Sequence, residues 1–358
     1  MNAGEPTPVP RIPLGEDGYT ISSMLVGGWQ LSQGHRQGAV DEERIQGDLL
    51  AMARAGLTTF DCADIYTGVE ELLGRFAARW GQDLQRDGIE LQFHTKYVPD
   101  QEALSSLTER DVARTIERSL SRLGVERLDL VQFAWWNYDL PGYVEVALWL
   151  TELQRAGKIR HLGITNFDVP RTREMLDADV PLVCNQVQYS LLDRRPEHGM
   201  VRLAEERDLG LLCYGTLAGG FLSERFVGVP RPAGELGTRS LTKYSLIIDE
   251  FGGWERLQTL LEVLGRVAER HAVAIPCVAL RWVLDRPRAV GVIVGTYHAG
   301  HLDANLAACT LDLDDEDRSG IEDALRDCPG PDGEVFGLER VSGGPHASIM
   351  WRNLGSGP

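Results

Sequence analysis

Residues 110–139 read RDVARTIERSLSRLGVERLDLVQFAWWNYD. In the first half, Val112, Ile116, Leu120 and Leu123 fall on one face at helical spacing. Gly124 supplies a stop signal. Leu128–Phe133 then runs apolar, β-branched and aromatic, as a buried strand does. The run closes on Ala134, Trp135 and Trp136, one methyl group followed by two indoles. Helix, turn and strand make one α/β unit, and the unit recurs along the chain.

Strand-like runs occur at Ser23–Gly28, Thr58–Cys62, Leu91–Lys96, Leu128–Ala134, His161–Thr165, Leu182–Val187, Leu211–Tyr214 and Val290–Gly295. Amphipathic stretches such as 42–56 lie between them. Eight strands alternating with helices over about 300 residues predict a closed (β/α)8 TIM barrel, parallel and eight-stranded, with its active site at the C-terminal face. No GxGxxG follows the first strand, which counts against a Rossmann arrangement. The expectation is one domain over residues 1–358, with irregular tails at 1–17 and 329–358. The Gly- and Pro-rich segment 224–253 is expected to be a loop over the barrel mouth, as is the tail after Cys328.

The net charge of −17 is interrupted by no basic stripe, which speaks against nucleic-acid or anionic-membrane partners. No apolar run of about 18 residues provides a spanning helix, and the polar, Pro-rich start carries no secretory signal pattern. Six dispersed cysteines without a CxxC pair read as free thiols in a cytoplasmic protein, with no metal site implied. Arginine far outnumbers lysine, which hints at a GC-rich bacterial genome. Only Lys96, Lys158 and Lys243 occur, so each is worth placing.

In a barrel the chemistry gathers where strands end. The second strand ends FDCADIYTG, placing Asp61 at the rim and Tyr66 beyond it; the third ends FHTKY, with Lys96 at its last position. Singly, these are a helix cap, a packed phenol and a rim ion pair. Together, Asp61 would keep Lys96 charged, and the lysine's field would lower the pKa of a nearby tyrosine to make a phenol acid.

FDCADIYTGVEELLG, FHTKYVPD, RLDLVQFAWWNYD, GKIRHLGITNF, NQVQYSLLDRRP and LCYGTLAGGFLSERF occur in this order. The chain thereby resembles an aldo-keto reductase over residues 18–355. The resemblance implies NAD(P)H-dependent reduction at the mouth of a TIM barrel. It assigns Asp61, Tyr66 and Lys96 to a catalytic tetrad, with Tyr66 as proton donor and Lys96 as its tuner. The fourth member is ordinarily a histidine after the 128–133 strand, and here that place holds Ala134. Losing one hydrogen-bond donor of this kind costs about 10²–10³ in turnover.

By the same resemblance, Thr165, Asn166 and Gln186 hold the nicotinamide carboxamide, Tyr214 stacks on its ring, and Leu217 and Gly219 meet the pyrophosphate. Trp29 belongs to the cofactor side and the pocket alike. Gly295, His301 and Asn305 fall in the segment expected to meet the adenosine end. Residues 295–307 carry Tyr297, His298 and His301 but no Arg or Lys, and Ala304 stands where an acid is expected. NADP(H) is expected ahead of NAD(H), with a weakened 2′-phosphate grip. Trp29, Tyr97, Trp135, Trp136, Met350 and Arg352 are expected to line a pocket for a moderately large apolar small-molecule substrate. Two other readings remain open: non-redox acid–base chemistry by Tyr66 and Lys96 (a lyase, dehydratase, isomerase or cyclase), and a cofactor-sensing regulatory subunit. The oligomeric state is not legible.

Overall fold

A computed structural model of the chain describes residues 9–32, 41–234, 236–295 and 299–350. Among the described residues the strands are β1 (Arg11–Pro13), β2 (Thr20–Ser22), β3 (Met24–Gly27), β4 (Thr59–Asp61), β5 (Gln92–Tyr97), β6 (Leu128–Phe133), β7 (Ile159–Thr165), β8 (Leu182–Gln188), β9 (Gly210–Tyr214) and β10 (Ala289–Gly295). The last eight close into a parallel barrel in the order β10-β3-β4-β5-β6-β7-β8-β9. The expected (β/α)8 barrel is the observed fold.

The unit that opened the sequence forms as read. Helix α3 (Glu109–Leu123) follows α1 (Glu42–Arg54) and α2 (Val69–Arg86). Thr108 caps α3 in a reciprocal box with Asp111, and Gly124 ends it in the left-handed region at φ 68°. Such a cap stabilises a helix by about 1 kcal/mol. The predicted face, Val112, Ile116, Leu120 and Leu123, is buried.

Alternation along the strands then sorts the side chains. In β5, Lys96 points into the barrel. Its neighbours turn outward: the Thr95 hydroxyl donates to Glu70 of α2 at 2.6 Å, and Tyr97 stacks on Phe133 at 5.9 Å. In β6, Leu130 joins the barrel-floor cluster and Gln132 the polar network above it, so the next inward position is Ala134.

The N-terminal tail is less irregular than expected. Arg11–Pro13 pairs with Thr20–Ser22 as an antiparallel hairpin. Leu14, Tyr19 and Ile21 join Leu25, Leu130, Cys184 and Leu212 in a cluster of their own, plugging the barrel's N-terminal end. Three-residue strands carry too little periodicity to be read from sequence.

Further helices are α4 (Tyr143–Arg155), α5 (Val169–Asp177), α6 (Met200–Glu206), α7 (Arg239–Phe251), α8 (Trp254–Arg270), α9 (Ile275–Leu284), α10 (Leu302–Leu306), α11 (Asp315–Leu325), α12 (Gly337–Arg340) and α13 (Pro345–Ser348). Helix α7 corrects the expectation of a loop over 224–253. Thr238 caps it, and Tyr244, Ile247, Ile248 and Phe251 bury one face at helical spacing. The surrounding glycines and prolines hid that period.

The tail after Cys328 likewise contains α12 and α13. A buried ion cluster fastens it over the mouth. Arg195 donates to Asp193 at 2.6 Å and to Glu339 of α12 at 2.9 Å, and Lys243 of α7 lies 3.7 Å from Glu339. Burial opposes ionisation of Glu339, but Lys243 and Arg195 outweigh it and hold the carboxyl down to about 2.

Candidate active site

At the exits of β4 and β5, Lys96 donates to Asp61 Oδ2 at 2.6 Å and to the Cys62 carbonyl at 2.9 Å. Asp61 Oδ1 accepts from Gln132 at 3.0 Å and from Gln186 at 2.6 Å. Both carboxylate oxygens are therefore satisfied at a residue only 4% exposed, which is what a buried charge requires. Burial pulls the Lys96 ammonium down, but the Asp61 carboxylate raises it by more, so it stays charged.

Tyr66 sits in the loop after β4, its ring centre 4.9 Å from Lys96 Nζ and 5.0 Å from the Trp29 indole. Burial pushes the phenol up, Lys96 draws it back only in part, and Asp61 adds to the rise. The expected lowering of the Tyr66 pKa is thus corrected for the ligand-free protein. Much of the lysine's field is compensated by Asp61, while the phenolate would have to form without water. Tyr66 is a held proton, not a free phenolate.

Ala134 follows β6 directly, its N–H donating to the Tyr97 carbonyl at 3.0 Å, and it brings only a methyl group to the mouth. The two residues flanking this exit in the expected pocket are corrected. Trp135 is buried, stacks edge-on against Phe133 and Tyr143, and donates from Nε1 to the carbonyls of Asn137 and Leu140 at 2.9 and 3.0 Å. Tyr97 is buried against Phe133, facing the helices. Tyr97 occupies an outward position of β5 and Trp135 lies just past β6, each one residue out of phase with Lys96 and Ala134 respectively. Trp136 is half-buried and donates to the Pro99 carbonyl at 2.8 Å, between the β5 and β6 loops. Met350 packs half-buried against the main core, and Arg352 lies outside the described residues.

Across the mouth, Thr165 donates to the Gln186 carbonyl at 3.2 Å. Asn166 adopts φ 63°, its N–H bonded to the same carbonyl at 2.9 Å, and its Oδ1 accepts from Tyr214 at 2.8 Å. A non-glycine residue in this conformation is uncommon and favours asparagine. Thr165, Asn166, Gln186 and Tyr214, assigned from three separate segments, thus converge. Leu217 is half-buried in the turn after β9, and Gly219 lies exposed there at φ 65°, where a Cβ would strike the Tyr244 ring at 2.8 Å. Gly295 ends β10 opposite Gly27, His301 is exposed just before α10, and Asn305 is half-buried within it. Tyr297 and His298 lie outside the described residues.

Three contributors escaped the sequence reading. Gln132 had a signal, a polar residue at an inward position of a buried strand. Lys243 stood out by rarity, and its Nζ lies 3.5 Å from the Tyr214 hydroxyl. Arg340, which donates to the Trp135 and Asn166 carbonyls at 3.0 and 2.9 Å, had no local signal.

The Aldo/keto reductase family model matches residues 23–326. The chain belongs to the aldo/keto reductase family. It is 24% identical over 332 residues to the NADH-specific methylglyoxal reductase of Escherichia coli, covering 86% of this chain and 95% of that protein. It is 29% identical over 262 residues to flagellar radial spoke protein 5 of Chlamydomonas reinhardtii, covering 62% of this chain. That match spans about half (49%) of the algal protein's length. Among solved structures, the thermostable aldo-keto reductase Tm1743 superposes with a TM-score of 0.68 at 25% identity, covering 88% of this chain and 99% of that one. This aldo/keto reductase is accordingly an NAD(P)-dependent oxidoreductase, and its family reaction is carbonyl reduction with NAD(P)H.

The residues present suit the nicotinamide end of that cofactor. Two primary-amide side chains, Asn166 and Gln186, can pair with a carboxamide as donor and acceptor, and the Tyr214 ring stands beside them. Gln186 spends its Nε2 on Asp61 and Gln132, and its Oε1 is the acceptor left over for an amide N–H.

Proposed function

We propose that this enzyme reduces a carbonyl, imine or polarised alkene on a moderately large substrate, and does so without the family's histidine donor. One observation carries the reading: an intact Asp61–Lys96–Tyr66 set stands beside an inward position occupied by the methyl group of Ala134. Bound nicotinamide supplies the hydride. Asp61 holds the Lys96 ammonium in place, and Lys96 presents its charge to the phenol. Tyr66 Oη keeps its proton until an electron-rich substrate atom arrives to take it. Ala134 neither donates nor orients, so the substrate must arrive polarised or be held by groups elsewhere at the mouth. The methyl group also widens the pocket at that point.

The cofactor reading is NADP(H) ahead of NAD(H), with a 2′-phosphate grip too weak to exclude NADH. Family resemblance supports the first part. The lack of Arg and Lys from 295 to 307 supports the second, as does the similarity to a reductase named NADH-specific. Titrating the protein with NADPH and NADH, each followed by tryptophan quenching, tests both parts. Saturable micromolar binding of both is expected. Binding of neither at millimolar concentration would end the reductase reading.

A further inference from the structure

The two amide side chains expected to meet the nicotinamide carboxamide are held in opposite senses, and a buried neighbour sets the sense of each. On the β8 side the reference is the Asp61 carboxylate, which only accepts. Gln132, fully buried in β6, donates from Nε2 to Asp61 Oδ1 at 3.0 Å, and Gln186 donates from Nε2 to the same oxygen at 2.6 Å. Both amides therefore turn nitrogen towards Asp61. The Gln132 oxygen is left to accept the second Gln186 N–H at 2.9 Å. With both N–H groups taken, Gln186 presents Oε1 alone.

On the β9 side the reference is a cation. The Lys243 ammonium of α7, largely buried and 3.7 Å from Glu339, has donors and no acceptor. Burial pulls it down, and the Glu339 carboxylate acts against that. Its Nζ lies 3.5 Å from Tyr214 Oη and 4.9 Å from the ring centre. A donor on the phenol oxygen turns the phenol's own proton the other way, and Tyr214 donates it to Asn166 Oδ1 at 2.8 Å. Asn166 then presents Nδ2. Its backbone is tied on both sides, the N–H to the Gln186 carbonyl and the carbonyl to Arg340 at 2.9 Å.

Gln186 Oε1 and Asn166 Nδ2 have no hydrogen-bond partner among the described residues, and neither is sealed from solvent. In an otherwise satisfied network, one acceptor and one donor are left at the mouth. A primary amide answers both, its N–H to the first and its carbonyl to the second.

We propose that Gln132 and Lys243 are positioning residues that set the polarity of the carboxamide subsite, Gln132 by fixing Gln186 as the acceptor and Lys243 by fixing Asn166, through Tyr214, as the donor. This rests on the reductase reading, since the carboxamide is that of the nicotinamide. Without the Gln132 oxygen, the Gln186 amide is free to rotate and offer an N–H, and the subsite no longer selects a partner that donates.

Cofactor analogues read the two arms separately. The 3-acetylpyridine analogue of NADP+ keeps the carbonyl but replaces the amino group with methyl, so it fails at Gln186. The thionicotinamide analogue keeps the amino group but carries sulfur, a weaker acceptor, so it fails at Asn166. Dissociation constants are read by tryptophan quenching, without turnover, using NAD+ and its analogues should these bind better. Wild type is expected to prefer the natural cofactor about tenfold over the acetylpyridine form and about threefold over the thio form, the effects of one lost and one weakened hydrogen bond. Q132M, which keeps the volume and removes the polar atoms, should bring the acetylpyridine ratio towards one and preserve the thio ratio. K243M should do the reverse. A merely structural role would move both ratios, or both affinities, together. Such parallel movement, a variant whose own ratio is unchanged, or wild-type ratios near one would overturn the proposal. Should the variants not fold, the wild-type ratios decide. Failure of wild type to bind NADP+ or NAD+ at millimolar concentration is a different result, which removes the reductase reading and this proposal with it. Tight binding with ratios near one removes this proposal alone.

Discussion

The two sides of the barrel mouth are built in opposite ways. At β4 and β5, Asp61, Tyr66 and Lys96 come from adjacent strands within 36 residues of sequence, and their charges close on each other. At β6 and β7, the strand ends bring a methyl group and a strained asparagine, and the charge arrives from Arg340, 205 and 174 residues beyond the carbonyls it binds. The first side pairs its charges within one short stretch of sequence, whereas the second is tied together by a cation from the far end of the chain. Local motifs therefore bring the acid–base set together, while a segment remote in sequence ties the neighbouring strand exits to one another.

Removing the held proton tests the β4–β5 side most severely. Y66F should lower turnover by about 10²–10⁴ while cofactor quenching remains. Turnover near wild type would show that the proton comes from elsewhere. D61A leaves the Lys96 ammonium buried without its counter-charge and should reduce the unfolding free energy by about 3–5 kcal/mol, read from urea denaturation.

The β6–β7 side is probed by adding what is missing. A134H should raise reduction of a neutral ketone by about 10²–10³ if the rest of the machinery is intact. No gain would mean that the β6 exit does not face the reacting carbon.

The clamp over the β6–β7 side predicts a pH effect. Glu339 is held down to about 2, against an ordinary 4.5. Its contribution to stability is present above about pH 4.5 and is lost as pH falls towards 2. E339Q should be less stable at neutral pH and lose less on acidification through that window. Parallel acid-unfolding curves for the two proteins would contradict this. The smallest effect is expected at Trp135. W135F should cost about 1 kcal/mol through its lost hydrogen bonds and leave KM untouched, since the indole faces helix α4. A raised KM would return Trp135 to the pocket.

The eight barrel strands, barrel closure and the Asp61–Lys96–Tyr66 set are legible because each depends on short-range pattern. Period-two alternation marks buried strands, and a barrel delivers strand ends to one face. The errors have equally physical causes. Aromatic character at Tyr97 and Trp135 says nothing about phase, and a shift of one residue along a strand reverses the face. Helix α7 was lost among glycines and prolines although its buried face keeps a helical period. The phenol of Tyr66 was expected to be lowered because the lysine's field was counted and the loss of water was not.

By itself, the sequence determined the (β/α)8 frame, the family and the absence of a histidine at position 134, since these are matters of residue type, order and local period. Only the tertiary structure decided which aromatics face the mouth, which proton stays held, and that Arg340 closes the β6–β7 side. Those outcomes depend on burial and on contacts between segments far apart in the chain, and no local spacing records them.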